Sequence, residues 1–109
     1  MRKIVIHRPG GYEELRLEHC DDPVPTTGEA LIDVAAAGVN YADCLIRMGF
    51  YKAASTFVGW PITPGYEIAG HIIALGEGTT GFKVGDAVVG LRRQEAKTAT
   101  GVAFTRRGV

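Results

Sequence analysis

Gly76-Glu77-Gly78-Thr79-Thr80-Gly81 spells G-x-G-x-x-G behind the apolar run of residues 66–75. In dinucleotide-binding proteins this spacing turns backbone N–H groups toward a pyrophosphate that rests on a helix N-terminus. Here the next residues are Phe82-Lys83-Val84-Gly85-Asp86-Ala87-Val88-Val89, where Gly85 and a β-branched run point to a strand. No helix follows to meet the phosphates, and no acidic residue about 20 positions on supplies a ribose ligand. We therefore expect a strand-to-strand turn. Cys44, Glu67 and His71 have zinc-ligand chemistry. Glu67 and His71 are four apart, which on a strand does not bring them to one point as it would on a helix. No metal is expected; Cys44 reads as a small hydrophobe and His71 as a packed or hydrogen-bonded structural histidine. Asp43 and Arg47, also four apart, are expected to pair on a helix surface. Phe57 and Trp60 either wall a cleft or pack against the body of the fold.

Bulk properties narrow the class. The 109 residues suffice for one domain with its own core. Lys and Arg (12) balance Asp and Glu (12), so overall charge indicates neither nucleic acid nor an anionic membrane. The balance is uneven along the chain: residues 1–91 hold 7 basic and 11 acidic side chains, residues 92–109 hold 5 and 1. Two cysteines, Cys20 and Cys44, suit a reducing compartment better than a disulfide framework. The start, MRKIVIHRPGG, lacks the apolar stretch of a signal peptide or membrane span. A cytoplasmic location follows as the expectation.

These residues must be positioned by local structure. Residues 3–7 are a short strand closed by Pro9-Gly10-Gly11, and residues 15–18 alternate as a half-buried strand. Prolines keep residues 20–28 extended. Residues 29–37 form a strand with Ala30, Ile32, Val34 and Ala36 on one face. Gly38 ends it, Asn40 caps a short helix with Asp43 in its first turn, and Gly49 stops that helix. Residues 52–64 read as a covering loop, residues 66–75 as a central strand, and residues 84–89 as a further strand. The expected fold is mostly β: a partly open barrel with one short helix.

Several segments occur in a familiar order: Gly28-Glu29; Ala37-Gly38-Val39-Asn40-Tyr41-Ala42-Asp43; Arg47-Met48-Gly49-Phe50-Tyr51; Pro64-Gly65-Tyr66-Glu67-Ile68-Ala69-Gly70; Leu75-Gly76-Glu77-Gly78; and Phe82-Lys83-Val84-Gly85-Asp86-Ala87-Val88. Together they resemble the N-terminal, GroES-like domain of the medium-chain dehydrogenase/reductase superfamily, nearest its zinc-free quinone oxidoreductase branch. The resemblance implies domain boundaries of 1–91 for that barrel and 92–109 for a divergent basic tail. It implies NADPH-dependent hydride transfer to a quinone or enone, with the cofactor motif in a separate Rossmann domain. Asn40 is implied at the nicotinamide end of the cofactor, beside its role as a helix cap. Tyr51 is implied over the same cleft as a proton donor, the alternative being a half-buried aromatic. Tyr66, implied at the substrate cleft with Phe57 and Trp60, stands where zinc-dependent relatives have His, and Asn40 where they have Cys; amide and phenol are poor zinc ligands. Glu67 is expected to hold the loop or a partner, and Gly85-Asp86 to belong to the last recognisable strand.

After Leu91 the resemblance stops in RRQEAKTATGVAFTRRGV, which carries few core-sized apolar residues and the basic excess. This reads as a chain truncated or frame-shifted before the Rossmann domain, with a poorly ordered tail, the alternative being a native basic tail. On that reading the polypeptide alone binds NADPH weakly, is inactive, and self-associates through an open sheet edge. Two other classes stay open. One is a free-standing GroES-like barrel acting as a binding or scaffold module; the other is a zinc alcohol dehydrogenase relative with displaced ligands.

Overall fold

The computed structural model describes residues 1–91 and the backbone of residues 102–105. β1 (Arg2–Val5) pairs antiparallel with β2 (Arg16–His19) across the Pro9–Gly11 turn, which a short 3-10 helix at Tyr12–Glu14 extends. β3 (Ala30–Ala37) leads to α1 (Tyr41–Met48) and α2 (Lys52–Phe57). β4 (Glu67–Leu75), β5 (Ala87–Leu91) and β6 (Val102–Thr105) complete the order. The second sheet runs β5-β4-β3-β6, antiparallel except for the β3–β6 pair. The result is mostly β, with open sheets that do not close into a complete barrel, as the sequence pattern implied.

The core is aliphatic. Ile6, Ile46, Ile62 and Ile72 are fully enclosed, with Val5, Leu31, Ile32 and Ala54 also buried. Ile6 and Ile62 exchange both backbone hydrogen bonds (2.8 and 2.9 Å), which tie the N-terminal hairpin to the segment entering β4. The helices sit in the β3-to-β4 connection, so α1 starts where one central strand ends.

Three expectations change. Residues 52–64 are not all loop, because residues 52–57 form α2. No Gly or Pro occurs from Lys52 to Val58, and burial of Ala54 against Ile46 and Ile62 gives this weakly patterned segment a tertiary anchor. The strand expected at 84–89 starts later, at Ala87, because Gly85 has φ +96° and the chain turns there. Residues 102–105, where no element was expected, form β6 parallel to β3. The remainder of the tail expected to be poorly ordered lies outside the described residues.

Candidate functional site

The N-terminus of α1 is built as the sequence indicated. Asn40 is the N-cap, and the Asp43 carboxylate accepts a hydrogen bond from the Asn40 backbone N–H at 2.8 Å. Gly49 terminates the helix with φ +82°. The second Asp43 oxygen accepts from Gly65 N–H at 2.9 Å. One carboxylate, 8% exposed, therefore caps the helix and fixes the residue before Tyr66. Glu67, half-buried at the start of β4, lies against Gly38. A Cβ at Gly38 would come 1.7 Å from Glu67 Oε1, so the glycine makes room for the acid. Asn40, Asp43, Tyr66 and Glu67 are thus gathered where α1 begins and β4 begins.

Within this group the Asn40 Nδ2 is enclosed yet has no hydrogen-bond partner among the described residues. A buried amide without a partner is uncommon and costs about 1–3 kcal/mol in a closed fold.

Tyr51 is the N-cap of α2. With Trp60 it packs against Ile46, Ala54 and Ile62, so α1 connects the Asn40 cluster to the Tyr51 cluster. Trp60 is a packing residue in this arrangement, whereas Phe57 is exposed at the end of α2. The expected Asp43–Arg47 surface pair does not form. Arg47 is 9% exposed and donates to Gly10 O at 2.6 Å, with its guanidinium 4.5 Å from the Tyr12 ring centroid. The Gly10 N–H returns a bond to Arg47 O at 2.9 Å. Each member of the pair instead bonds to backbone, Asp43 to Asn40 and Gly65 N–H and Arg47 to Gly10 O, and these charge-assisted bonds outweigh a solvated i,i+4 contact. His71 is also corrected: it is exposed on β4 rather than packed. Cys44, Glu67 and His71 are not brought together; no group of three His, Cys, Asp or Glu that could hold a metal occurs among the described residues.

The glycine-rich segment is a turn between β4 and β5, locked to the turn before β3. Gly76 N–H donates to Glu29 O at 2.8 Å, Gly28 N–H to Glu77 O at 3.1 Å, and Thr79 Oγ1 to Glu29 O at 3.1 Å. A Cβ at Gly76 would stand 1.7 Å from Thr26 O. Gly76 is thus selected by close approach of neighbouring backbone, a signal that the sequence carries as glycine without its reason. Beside this turn a cavity of about 530 Å³ is lined by Ile32, Ile72, Phe82, Val88 and the two threonines Thr79 and Thr80, among others. None of Asn40, Tyr51, Phe57, Trp60 or Tyr66 lines it. Sequence reasoning missed it, because its walls come from three strands and a turn.

Gly85 and Asp86 form a second small turn. Lys83 N–H and Nζ donate to the two Asp86 oxygens at 3.0 and 2.7 Å. The hydrogen bond from the Lys83 side chain, then that from its backbone, holds the Asp86 carboxyl below its ordinary value. A lowered folded value means stabilisation that is present above the unfolded carboxylate value, ~4, and is lost as pH falls through the folded one. Amide exchange at Lys83 is expected to accelerate as pH drops below ~4 relative to intrinsic rates, and Asp86→Asn is expected to remove that pH dependence. Identical profiles in the two proteins would refute the assignment.

No helix among the described residues is long and apolar enough to cross a membrane. Comparison with known proteins adds identity. The human synaptic vesicle membrane protein VAT-1 homolog is 37% identical over 95 residues, covering 85% of this chain and 23% of that protein. The acryloyl-coenzyme A reductase of Metallosphaera sedula is 38% identical over 93 residues, covering 84% and 26%. The solved structure of Escherichia coli quinone oxidoreductase complexed with NADPH superposes with a TM-score of 0.71 at 30% identity, covering 82% and 26%. The chain spans about a quarter of the length of these relatives. The alcohol dehydrogenase GroES-like domain pattern matches residues 26–106, past Leu91, and the chain belongs to that family.

Proposed function

We propose that this domain forms one wall of the active-site cleft of a zinc-independent, NADPH-dependent quinone or enone oxidoreductase, the other wall being a Rossmann domain. The observation that carries the reading is the Asn40 Nδ2, enclosed and without a partner among the described residues, on a helix cap that leads through α1 to Tyr51. The fit to a nicotinamide is chemical: a carboxamide oxygen is an acceptor, and the Asn40 amide is a donor that a change of its side-chain rotamer would turn outward. The NADPH-bound relative and the conjugated thioester implied by the name acryloyl-coenzyme A reductase support the cofactor and substrate classes. Asn40 and Tyr66, standing where a zinc site would need thiolate and imidazole, support independence from zinc.

When bound, NADPH supplies a hydride to a carbon conjugated with a carbonyl. Negative charge then accumulates on the carbonyl oxygen, and a positioned donor there lowers the barrier. Tyr51 takes the donor role, with its ring held by Ile46, Ala54 and Ile62. Asn40 would orient the cofactor carboxamide, while Asp43 holds Asn40 by its backbone and Gly65 beside Tyr66. Phe57 and Tyr66 bound the substrate side; Trp60 supports Tyr51 from within. Residues 92–109, as a divergent basic tail to a 1–91 domain, and cytoplasmic location belong to the same reading. So does self-association through an open sheet edge.

Hydride transfer needs donor and acceptor carbons within ~3–3.5 Å, which a single wall does not enforce. The purified 109-residue chain is therefore expected to show no quinone- or enone-dependent oxidation of NADPH. Joined to a Rossmann partner domain, it is expected to gain turnover that Tyr51→Phe lowers by roughly 10²-fold in kcat, with the KM for NADPH nearly unchanged. Activity of the isolated chain, or an unchanged kcat in Tyr51→Phe, would overturn the proposal.

A further inference from the structure

β5 is an outer strand: among the described residues it pairs with β4 alone. Ile72 N–H donates to Asp86 O at 3.0 Å, which sets the phase of the ladder. In an antiparallel ladder N–H and C=O directions alternate, so Val88 and Gly90, opposite Gly70 and Ile68, turn their backbone groups toward β4. Ala87, Val89 and Leu91 turn theirs off the sheet. The same three residues are exposed, Val89 at 77% and Leu91 at 71%. The strand contains no charge and no proline, and its pairing with β4 shows no bulge. Those are the devices that normally keep an edge from templating another strand.

Resting on the open-edge part of the reading above, we infer that β5 is the contact through which two copies of this chain associate, strand against antiparallel strand about a two-fold axis at Val89. The strand is complementary to itself in that register. Val89 faces Val89 of the second copy, Ala87 faces Leu91, and Val88 faces Gly90. All outward N–H and C=O groups of Ala87, Val89 and Leu91 then acquire partners. On one face the exposed Val89 and Leu91 side chains meet apolar neighbours. Val88, Val89 and Gly90 also line the cavity beside the glycine-rich turn, so the paired strand runs along its rim. A single short strand buries less than ~1,200 Å², so the association is weak and depends on concentration.

The test uses the full 109-residue chain with Cys20→Ser and Cys44→Ser as background. Directly opposed hydrogen-bonded residues have Cα atoms ~5.5 Å apart, within disulfide reach. Val89→Cys is therefore expected to form a covalent dimer on mild oxidation. Leu91→Cys is not, because its opposite is Ala87 and the two Leu91 positions lie beyond the ~7 Å limit. Mixing Ala87→Cys with Leu91→Cys chains is expected to restore the crosslink. In sedimentation equilibrium, Val89→Pro, which deletes the central outward N–H, is expected to weaken dimerisation at least tenfold, and Val89→Lys to do the same without altering the backbone. Unchanged far-UV circular dichroism in both variants keeps the comparison between folded proteins. A chain that stays monomeric up to ~1 mM, or Leu91→Cys crosslinking as readily as Val89→Cys, overturns the inference. Either result leaves the oxidoreductase reading standing, since that reading is decided by Tyr51 in the two-domain protein.

Discussion

Gly76→Ala is expected to lower the unfolding free energy by about 4 kcal/mol, a large part of the ~5–15 kcal/mol available to a domain of this size. The new Cβ would stand 1.7 Å from Thr26 O and 2.6 Å from Thr26 C, both backbone atoms. No side-chain rotation relieves such a contact; one turn must move away from the other. Movement there also stretches the bonds from Gly76 N–H and Thr79 Oγ1 to Glu29 O and from Gly28 N–H to Glu77 O. Gly81→Ala is the internal control. Gly81 has φ +84° with no atom within 4 Å of where the methyl group would stand, so only backbone strain applies, about 1–2 kcal/mol. Urea denaturation of the two variants provides the comparison. Equal midpoints would mean that the glycine-rich turn is conformationally demanding throughout and that packing at Thr26 is not what selects Gly76.

Asp43→Ala is the second large effect, a loss of about 3 kcal/mol. The substitution leaves two backbone donors, Asn40 N–H and Gly65 N–H, without their buried acceptor. Each donor loses a bond to a charged acceptor, worth about 1.5–3 kcal/mol and partly replaced by water at the exposed Gly65, and the negative charge near the helix N-terminus is lost as well. Asp43→Asn retains one acceptor oxygen and is expected to lose roughly half as much. Because Asp43 holds both Asn40 and the residue before Tyr66, amide resonances of both segments should shift together in Asp43→Asn. A shift confined to α1 would show that the Gly65 bond does not couple the two.

How far the residues spoke for themselves varied with the range of the interaction. Asn40 as cap, Asp43 in the first turn and Gly49 as left-handed stop were legible because capping is decided within a few residues. The strand-to-strand nature of the Gly76–Gly81 turn was legible too, from the lack of any helix behind it. Arg47 was not. Its partner Gly10 lies thirty-seven positions away in sequence, and nothing local distinguishes a helix-surface arginine from one that closes onto a distant carbonyl. α2 and β6 share that cause: short segments of weak pattern acquire structure from what they pack or pair against, Ala54 in the core and β3 at the sheet edge.

By itself the sequence determined the identity of the domain, through ordered short motifs, and the caps, turns and alternating strands that need only neighbouring residues. Tertiary structure alone decided what meets what. It placed Asp43 on Gly65, Arg47 on Gly10 and Tyr12, Glu67 against Gly38, and Gly76 at an approach to backbone too close for a methyl group. It also left Asn40 Nδ2 enclosed without a partner among the described residues. Contacts between residues far apart in the chain depend on how whole elements pack, and packing is a property of the folded set of elements that no single window of sequence contains.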